Sequence, residues 1–345
     1  MAINKAMRAA LRFFSYGGIE LKSSRRFANL KAVDWKRPLR KTIHYFIRHK
    51  DYDIPVRIFM PDDEIIKTKS RAGERLPMLL FFHGGGWVTE SVDTYERVCD
   101  MMAKSTGHIV TAVDYRLAPE FRFPTQLYDC YEAARRIYRD DFLIHVDPDD
   151  ITVMGDSAGG NLAAAVCLLA KERKEFMPKR QILIYPATNN DYTDRSPFPS
   201  VRENGTDFLL TAQKMEDYLN LYQSSPEDRQ NPLFAPILAR DLTGMPRTLI
   251  LTAQYDPLRD EGEAFGKRLE EAGNEVTVCR IPDALHGFFA LGIKHLYVQK
   301  SFEMINQFLK QDTSKEGEED GRKQNKPVEK TGQCSDHISG YQRET

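Results

Sequence analysis

Two glycine-framed segments of this chain carry residues suited to acyl transfer. They are His83-Gly84-Gly85-Gly86 and Gly155-Asp156-Ser157-Ala158-Gly159, and each directly follows an apolar run that is typical of a buried strand. The second fits the G-x-S-x-G pattern, in which the serine occupies a strained turn between a strand and a helix and glycines on both sides avoid collisions. Such a serine can attack a carbonyl carbon, and backbone N–H groups of the first segment can stabilise the resulting oxyanion.

Two later segments supply the other groups that a serine nucleophile needs. Asp256 follows an apolar run at 248–252, and His286 lies within Leu285-His286-Gly287-Phe288. Imidazole titrates near neutral pH, so His286 can take the serine proton and return it to the leaving alkoxide. The carboxylate of Asp256 can orient that imidazole and stabilise its charged form. The order Ser157, Asp256, His286 therefore predicts a catalytic triad.

Two other carboxylates compete with Asp256 for the third position. Asp260 and Glu261 follow shortly after it, and both are expected in the first turn of the next helix. Acidic side chains stabilise the helix dipole there, whether or not they take part in catalysis. Asp256 is favoured because it lies in a loop just after the preceding strand and ahead of Pro257.

In this order the motifs resemble those of the hormone-sensitive-lipase-like family of α/β-hydrolase carboxylesterases. The resemblance rests on the HGGG loop, DYRLAPE at 114–120, GDSAGG at 155–160, DPLRDEG at 256–262 and HGF at 286–288, and it covers about positions 40 to 310. It implies hydrolysis of short- to medium-chain acyl esters, acetyl esters among them, through an acyl-enzyme. This mechanism requires no cofactor.

The resemblance also implies roles for the residues around the serine. The N–H groups of Gly85, Gly86 and Ala158 would form the oxyanion hole. His83 would orient its loop by hydrogen bonding, and Asp156 would support the turn that carries the serine. The remaining candidates are motif glycines (Gly84, Gly155, Gly159), side chains suited either to the pocket wall or to core packing (Trp87, Phe208, Leu209, Phe288) and two side chains suited to ion pairs near the loop (Arg116, Glu120).

The elements that must position these groups follow from the apolar pattern. Strand-like runs occur at 42–48, 56–60, 78–82, 109–113, 151–154, 181–185, 248–252 and 275–281. Helical stretches separate the later runs, which predicts a mostly parallel sheet with helices on both faces, while the first two runs are suited to antiparallel pairing. The small and apolar residues of 157–170 predict a buried helix after the serine. The fold class is thus α/β, and by resemblance an α/β-hydrolase fold with a small helical cap.

Three regions are expected along the chain. Residues 1–40 are predicted to form N-terminal cap helices, although the amphipathic stretch 1–16 is also compatible with a membrane-surface helix or a transit segment. Residues 41–312 form the catalytic domain, whose cap insertion spans about 188–225. Residues 313–345 are polar and charge-mixed, which predicts a disordered tail.

Composition excludes several functions. The 345 residues carry a net charge of −1 and no basic block, which argues against nucleic-acid binding. The five cysteines form no C-x-x-C pair and are odd in number, which favours reduced thiols and a cytoplasmic protein. No apolar run is long enough to span a membrane, and no metal-ligand spacing occurs.

Two other functions remain open from the sequence. A small-ligand receptor could use the same scaffold without turnover, and an amide-directed hydrolase such as an arylformamidase could use the same three side chains. A homodimer formed through the edge strand at 275–281 could accompany any of these activities, because an unpaired strand edge is a template for association.

Overall fold

The computed structural model describes residues 24–25, 42–49, 52–291 and 296–310. The N-terminal cap helices, apart from Ser24 and Arg25, and the polar tail therefore lie outside the described residues. Both predictions remain as stated.

The strands form a single sheet with helices on both faces. They are β1 (Thr42–Arg48), β2 (Asp53–Phe59), β3 (Met78–Phe82), β4 (Ile109–Val113), β5 (Ile151–Asp156), β6 (Arg180–Ile184), β7 (Arg247–Tyr255) and β8 (Val276–Leu285). Their order across the sheet is β1-β2-β4-β3-β5-β6-β7-β8. β1 with β2 and β2 with β4 pair antiparallel, and all later neighbours are parallel. The predicted sheet is confirmed.

Several strands differ in length from their predicted runs. β2 begins earlier because its first residues pair along the whole of β1, from Asp53 opposite Arg48. β8 extends to Leu285, which pairs with Tyr255 of β7 beyond a register shift. These extensions depend on partner strands, and apolar runs in the sequence do not contain that information.

The described helices connect or follow the strands, and local signals mark some of their ends. They are α1 (Asp63–Arg71), α2 (Val92–Thr106), α3 (Thr125–Tyr138), α4 (Ala158–Arg173), α5 (Pro199–Asn204), α6 (Ala212–Tyr222), α7 (Arg259–Glu271) and α8 (Leu296–Lys310). α2, for example, begins with a capping box between Ser91 and Thr94 and ends at Gly107 in the left-handed region. Among the described residues, no helix is both long and apolar enough to cross a membrane.

Two apolar cores cover the two faces of the sheet. One contains α3 and α4, and α4 is buried from Ala158 to Ala170 because its small and apolar side chains pack on β5 and β6. The other contains α2 and α8. Burial on both faces explains why β3 is apolar throughout and why β3 and β6 are buried along their whole length.

The topology brings the predicted chemical groups to one edge of the sheet. β3, β5, β7 and β8 run parallel, and the chain leaves their carboxyl ends at His83, Ser157, Asp256 and His286. β3 neighbours β5, and β7 neighbours β8. Because ligands in open α/β sheets bind beyond the carboxyl ends of the strands, this edge is the expected location of a site.

Candidate active site

Ser157 occupies a strained turn between β5 and α4. Its backbone has φ 55° and ψ −118°, which a residue with a side chain rarely adopts. The flanking glycines allow close backbone packing: a Cβ atom at Gly155 would lie 2.2 Å from the carbonyl oxygen of Gly159, and one at Gly159 would lie 2.0 Å from that of Phe82. The serine is thereby held at the carboxyl edge of the sheet.

The structure brings the three predicted triad side chains together. His286 Nε2 lies 2.9 Å from Ser157 Oγ, and His286 Nδ1 lies 2.7 Å from Asp256 Oδ2. Asp256 is fully buried, and its other carboxylate oxygen accepts from the N–H of Leu258 at 2.9 Å. A carboxylate held in this way presents one oxygen to the imidazole and keeps Nδ1 protonated, which leaves Nε2 free to accept the serine proton.

The carboxylate of Asp156 links the serine turn to the glycine-rich loop. One oxygen accepts from the N–H of Gly84 at 2.9 Å, and the other accepts from the hydroxyls of Tyr95 (2.8 Å) and Tyr185 (3.2 Å). Complete burial raises the pKa of Asp156 to about 6, while these donors act in the opposite direction. Asp156 thus holds the backbone beside the predicted oxyanion donors of both segments.

Tyr185 extends this network to the histidine. Its hydroxyl accepts from the N–H of Phe289 at 3.1 Å, and its ring lies 4.7 Å from the imidazole of His286. The sequence analysis missed Tyr95 and Tyr185. Tyr185 directly follows β6, so its place at the end of a strand was a usable signal, whereas Tyr95 lies inside α2 with no distinguishing pattern.

His83 supports its own loop. Its ring stacks on Tyr115 with centroids 4.3 Å apart, and Nδ1 lies 2.8 Å from the carbonyl oxygen of Gly84. Burial lowers the pKa of His83, so the neutral form is favoured and donates through Nδ1. These contacts support the structural role predicted for this side chain.

The predicted oxyanion donors surround a cavity beside the serine. Gly85 and Gly86 adopt φ values of 106° and 63°, and both line this cavity together with Ala158, Ser157 and His286. A Cβ atom at Gly85 would lie 2.3 Å from the carbonyl oxygen of Thr89, so the loop requires glycine there. Ala158 opens α4, whose N-terminal partial positive charge favours an anion.

The cavity has a volume of about 230 Å³ and is walled largely by apolar side chains. Among the described residues these include Trp87, Ala187, Leu210, Met215, Tyr218 and Ala290. Leu210, Met215 and Tyr218 come from the segment predicted as the cap insertion, which contains α5 and α6. The sequence analysis did not single out these three residues, and their helical spacing resembles that of ordinary core positions.

Of the four predicted pocket walls, only Trp87 lines this cavity, and the other three predictions require correction. Phe208 stacks on Tyr255 with ring centroids 5.1 Å apart. Leu209 has a backbone φ of 70°, and 38% of the residue is exposed to solvent. Phe288 follows Gly287 at φ 81° and packs in the core against Tyr185. Proximity in the sequence to the chemical groups therefore does not place a side chain in the cavity wall.

The two ion-pair candidates near the loop both have partners. The guanidinium of Arg116 donates two hydrogen bonds to the carboxylate of Asp129, from Nη2 at 2.7 Å and from Nε at 3.0 Å. Glu120 accepts from Arg25 at 2.7 and 2.8 Å, and Arg25 also donates to the carbonyl oxygens of Val88 and Ala118. Arg25 therefore contacts the chain just after the glycine-rich loop.

The competing carboxylates do not contact His286. Asp260 accepts from the N–H of Ser200 at 2.7 Å and from Arg259. Glu261 is fully buried, and one of its oxygens accepts from the N–H groups of Thr188 and Asn189 and from the hydroxyl of Tyr192, at 2.7, 3.1 and 2.8 Å. Glu261 thus anchors the chain that leaves β6 beside the cavity, and burial raises its pKa to about 8.

Replacing Glu261 with glutamine is expected to change how stability depends on pH. The folded protein holds the Glu261 proton up to about pH 8, whereas the unfolded chain releases it near 4.5, so the free energy of unfolding falls as pH rises through this window. Glutamine retains the acceptor oxygen and does not titrate. Urea unfolding at about pH 5 and about pH 8 should therefore give a smaller difference for Glu261→Gln than for the unmodified chain. An equal difference, or the same change on replacing exposed Glu270 of the same helix, would contradict this assignment.

The described ranges hold no group of three or more histidine, cysteine, aspartate or glutamate side chains arranged to bind a metal ion. Cys99, Cys130 and Cys167 are free thiols, and all three, like Cys279, are buried. The chemical groups that the structure brings together at this edge are the serine, the imidazole, the carboxylate and the backbone N–H groups.

Known proteins share this architecture. A family model described as alpha/beta hydrolase fold matches residues 79–290. An arylesterase of Saccharolobus solfataricus is 35% identical over 259 residues, which cover 75% of this chain and 80% of the relative. An ethyl acetate hydrolase of Pseudomonas putida is 37% identical over 242 residues, covering 70% and 73%. The solved structure of a hyperthermophilic esterase from the archaeon Pyrobaculum calidifontis has a TM-score of 0.79 at 33% identity, covering 91% of this chain and 99% of that one.

Proposed function

We infer that this chain, which belongs to the α/β-hydrolase family, is a serine carboxylesterase that works through an acyl-enzyme on Ser157. The observation that carries this inference is the continuous contact from Asp256 through His286 to Ser157 at the wall of a cavity. Similarity to an arylesterase, an ethyl acetate hydrolase and an esterase of known structure supports the same reaction class.

The geometry accounts for each step of ester hydrolysis. Ser157 Oγ attacks the ester carbonyl while its proton passes to His286 Nε2, and Asp256 stabilises the imidazolium. The N–H groups of Gly85, Gly86 and Ala158 receive the negative charge that develops on the carbonyl oxygen. The intermediate collapses as His286 returns the proton to the leaving alkoxide, which leaves the acyl group on the serine. Water, deprotonated by His286, then releases the acid.

The size and lining of the cavity favour small, largely apolar esters. Its volume of about 230 Å³ is below the roughly 300–1,000 Å³ of sites that enclose drug-sized ligands. Short-chain acyl esters, including acetyl esters, are therefore the proposed substrate class. The name of the Pseudomonas putida relative denotes hydrolysis of such an ester.

Hydrolysis of p-nitrophenyl acetate, butanoate and octanoate, compared with matched p-nitroanilides, tests this function. We expect turnover of the acetate and butanoate, weak turnover of the octanoate, and ester hydrolysis at least about a hundredfold faster than amide hydrolysis. Tight binding of an ester without turnover would instead favour a receptor, and preferred hydrolysis of the anilides would favour an amide-directed enzyme.

A cytoplasmic location and a homodimer formed through β8 remain proposals of the same kind. β8 pairs only with β7 in the described sheet, so its other edge could pair with a strand of a second copy. Sedimentation of the full chain tests the dimer.

A further inference from the structure

One wall of the catalytic cavity comes from the cap segment rather than from the sheet. Leu210, Met215 and Tyr218 line the cavity from this side, and the last two lie on α6. Met215 is a flexible side chain that can yield to a ligand, whereas an aromatic ring is rigid and keeps its shape. The ring of Tyr218 is therefore the part of this wall best able to set a size limit.

Tyr218 packs directly on the predicted oxyanion loop. A Cβ atom built on Gly86 would lie 2.4 to 2.6 Å from three carbons of the Tyr218 ring. The ring thus occupies the space beside a glycine whose N–H group is proposed to bind the oxyanion. Any substrate group that passes Gly86 meets this ring.

Contacts at both ends restrain the ring. The Tyr218 hydroxyl lies beside Thr89, and burial raises its pKa. Thr89 is itself tied to the loop, because its hydroxyl and its N–H group each donate to the carbonyl oxygen of Gly85 at 2.9 Å. The next turns of α6 are anchored by Leu219 and Tyr222, both fully buried. Rotation of the ring away from the loop would break the hydroxyl contact and expose this wall.

The chemistry of attack indicates which part of an ester faces this ring. The carbonyl oxygen must point at the N–H groups of the loop and of Ala158, and the leaving oxygen must face His286 Nε2 to receive its proton. The acyl chain is then the substituent left to extend along the loop past Gly86.

We propose that Tyr218 is the residue that sets the acyl-chain limit of this enzyme, so that its substrates are esters of acids of about two to four carbons. This proposal rests on the proposed ester hydrolysis at Ser157. One methylene group more or less on the substrate changes kcat/KM by about tenfold or more when an apolar pocket limits its length. Removal of the ring should therefore have a large and graded effect along a chain-length series.

The test compares the unmodified chain with Tyr218→Ala and Tyr218→Phe across two ester series. One series varies the acyl group from acetyl to decanoyl on p-nitrophenol, and the other varies the alcohol of acetate esters. We expect Tyr218→Ala to raise the octanoate-to-acetate ratio of kcat/KM at least about tenfold, mainly through KM, and to leave the alcohol preference unchanged. Tyr218→Phe retains the ring and should keep the original acyl limit.

Gln213→Ala, an exposed change on the same helix, is the matched control and should reproduce the original profile. An unchanged octanoate-to-acetate ratio in Tyr218→Ala, or a shift in the alcohol series instead, overturns the assignment of Tyr218. Absence of turnover for every ester by the unmodified chain would instead overturn the proposed function. If Tyr218→Ala does not fold, Tyr218→Leu provides the same comparison with a smaller, flexible side chain.

Discussion

Replacing Ser157 with alanine is expected to lower kcat for p-nitrophenyl acetate by a factor on the order of a million. The variant retains the cavity and the backbone donors but has no nucleophile, so no acyl-enzyme can form. Alanine is no larger than serine and adds no crowding to the turn, so the folded structure should persist. Steady-state kinetics and thermal unfolding measure the two effects separately.

The same experiment identifies the base. His286→Ala should cost about as much as Ser157→Ala, and the double variant should be little worse than either single one, because the two side chains act as a unit. Ser70→Ala removes an exposed hydroxyl far from this edge and should leave kcat unchanged. Substantial turnover that survives either active-site change would rule out the mechanism.

Replacing Asp256 with asparagine is expected to lower kcat by about ten-thousandfold. Asparagine keeps the size of the side chain, but its amide group can donate to His286 Nδ1 and so favour the wrong tautomer of the imidazole. Nε2 would then carry the proton and could not accept one from Ser157.

Asp260→Asn is the matched control for this prediction. Asp260 contacts Ser200 and Arg259 and has no contact with the imidazole, so its replacement should reduce stability modestly and leave kcat near that of the unmodified chain. A larger kinetic loss in Asp260→Asn than in Asp256→Asn would reverse the assignment of the third triad position.

The hydrogen-bond network around Asp156 explains why the two glycine-rich motifs act together. Its carboxylate joins the N–H of Gly84 to the hydroxyls of Tyr95 and Tyr185, so the predicted oxyanion loop and the serine turn share one rigid support. Tyr185 then reaches the turn after His286 through Phe289. Each group is thereby held before substrate arrives, which is the condition for effective electrostatic stabilisation.

Most of the architecture could be predicted from the chain itself. The strand runs were located to within a few residues because apolar runs and their flanking breakers are local patterns. The order of Ser157, Asp256 and His286 pointed to one edge of the sheet, since parallel strands carry their following loops to a common side. Membership of the α/β-hydrolase family confirms the predicted fold and reaction class.

The pocket was predicted poorly. Phe208 and Leu209 are neighbours in the sequence of Leu210, which does line the cavity, yet Phe208 stacks on Tyr255, and Leu209, at φ 70°, is exposed. Tyr218 was not singled out, because nothing in its helical neighbourhood indicates that its ring meets Gly86.

The sequence by itself determined the chemical groups and the edge of the sheet at which they gather. Glycine-framed turns and strand ends are local features, so residue type and spacing are sufficient to identify them. Only the tertiary structure decided the volume of the cavity, the partners of Asp156 and Glu261, and the contact between Tyr218 and the oxyanion loop. Those properties arise where segments far apart in the chain pack against one another, and the direction of each side chain there depends on backbone angles and neighbours that no local pattern specifies.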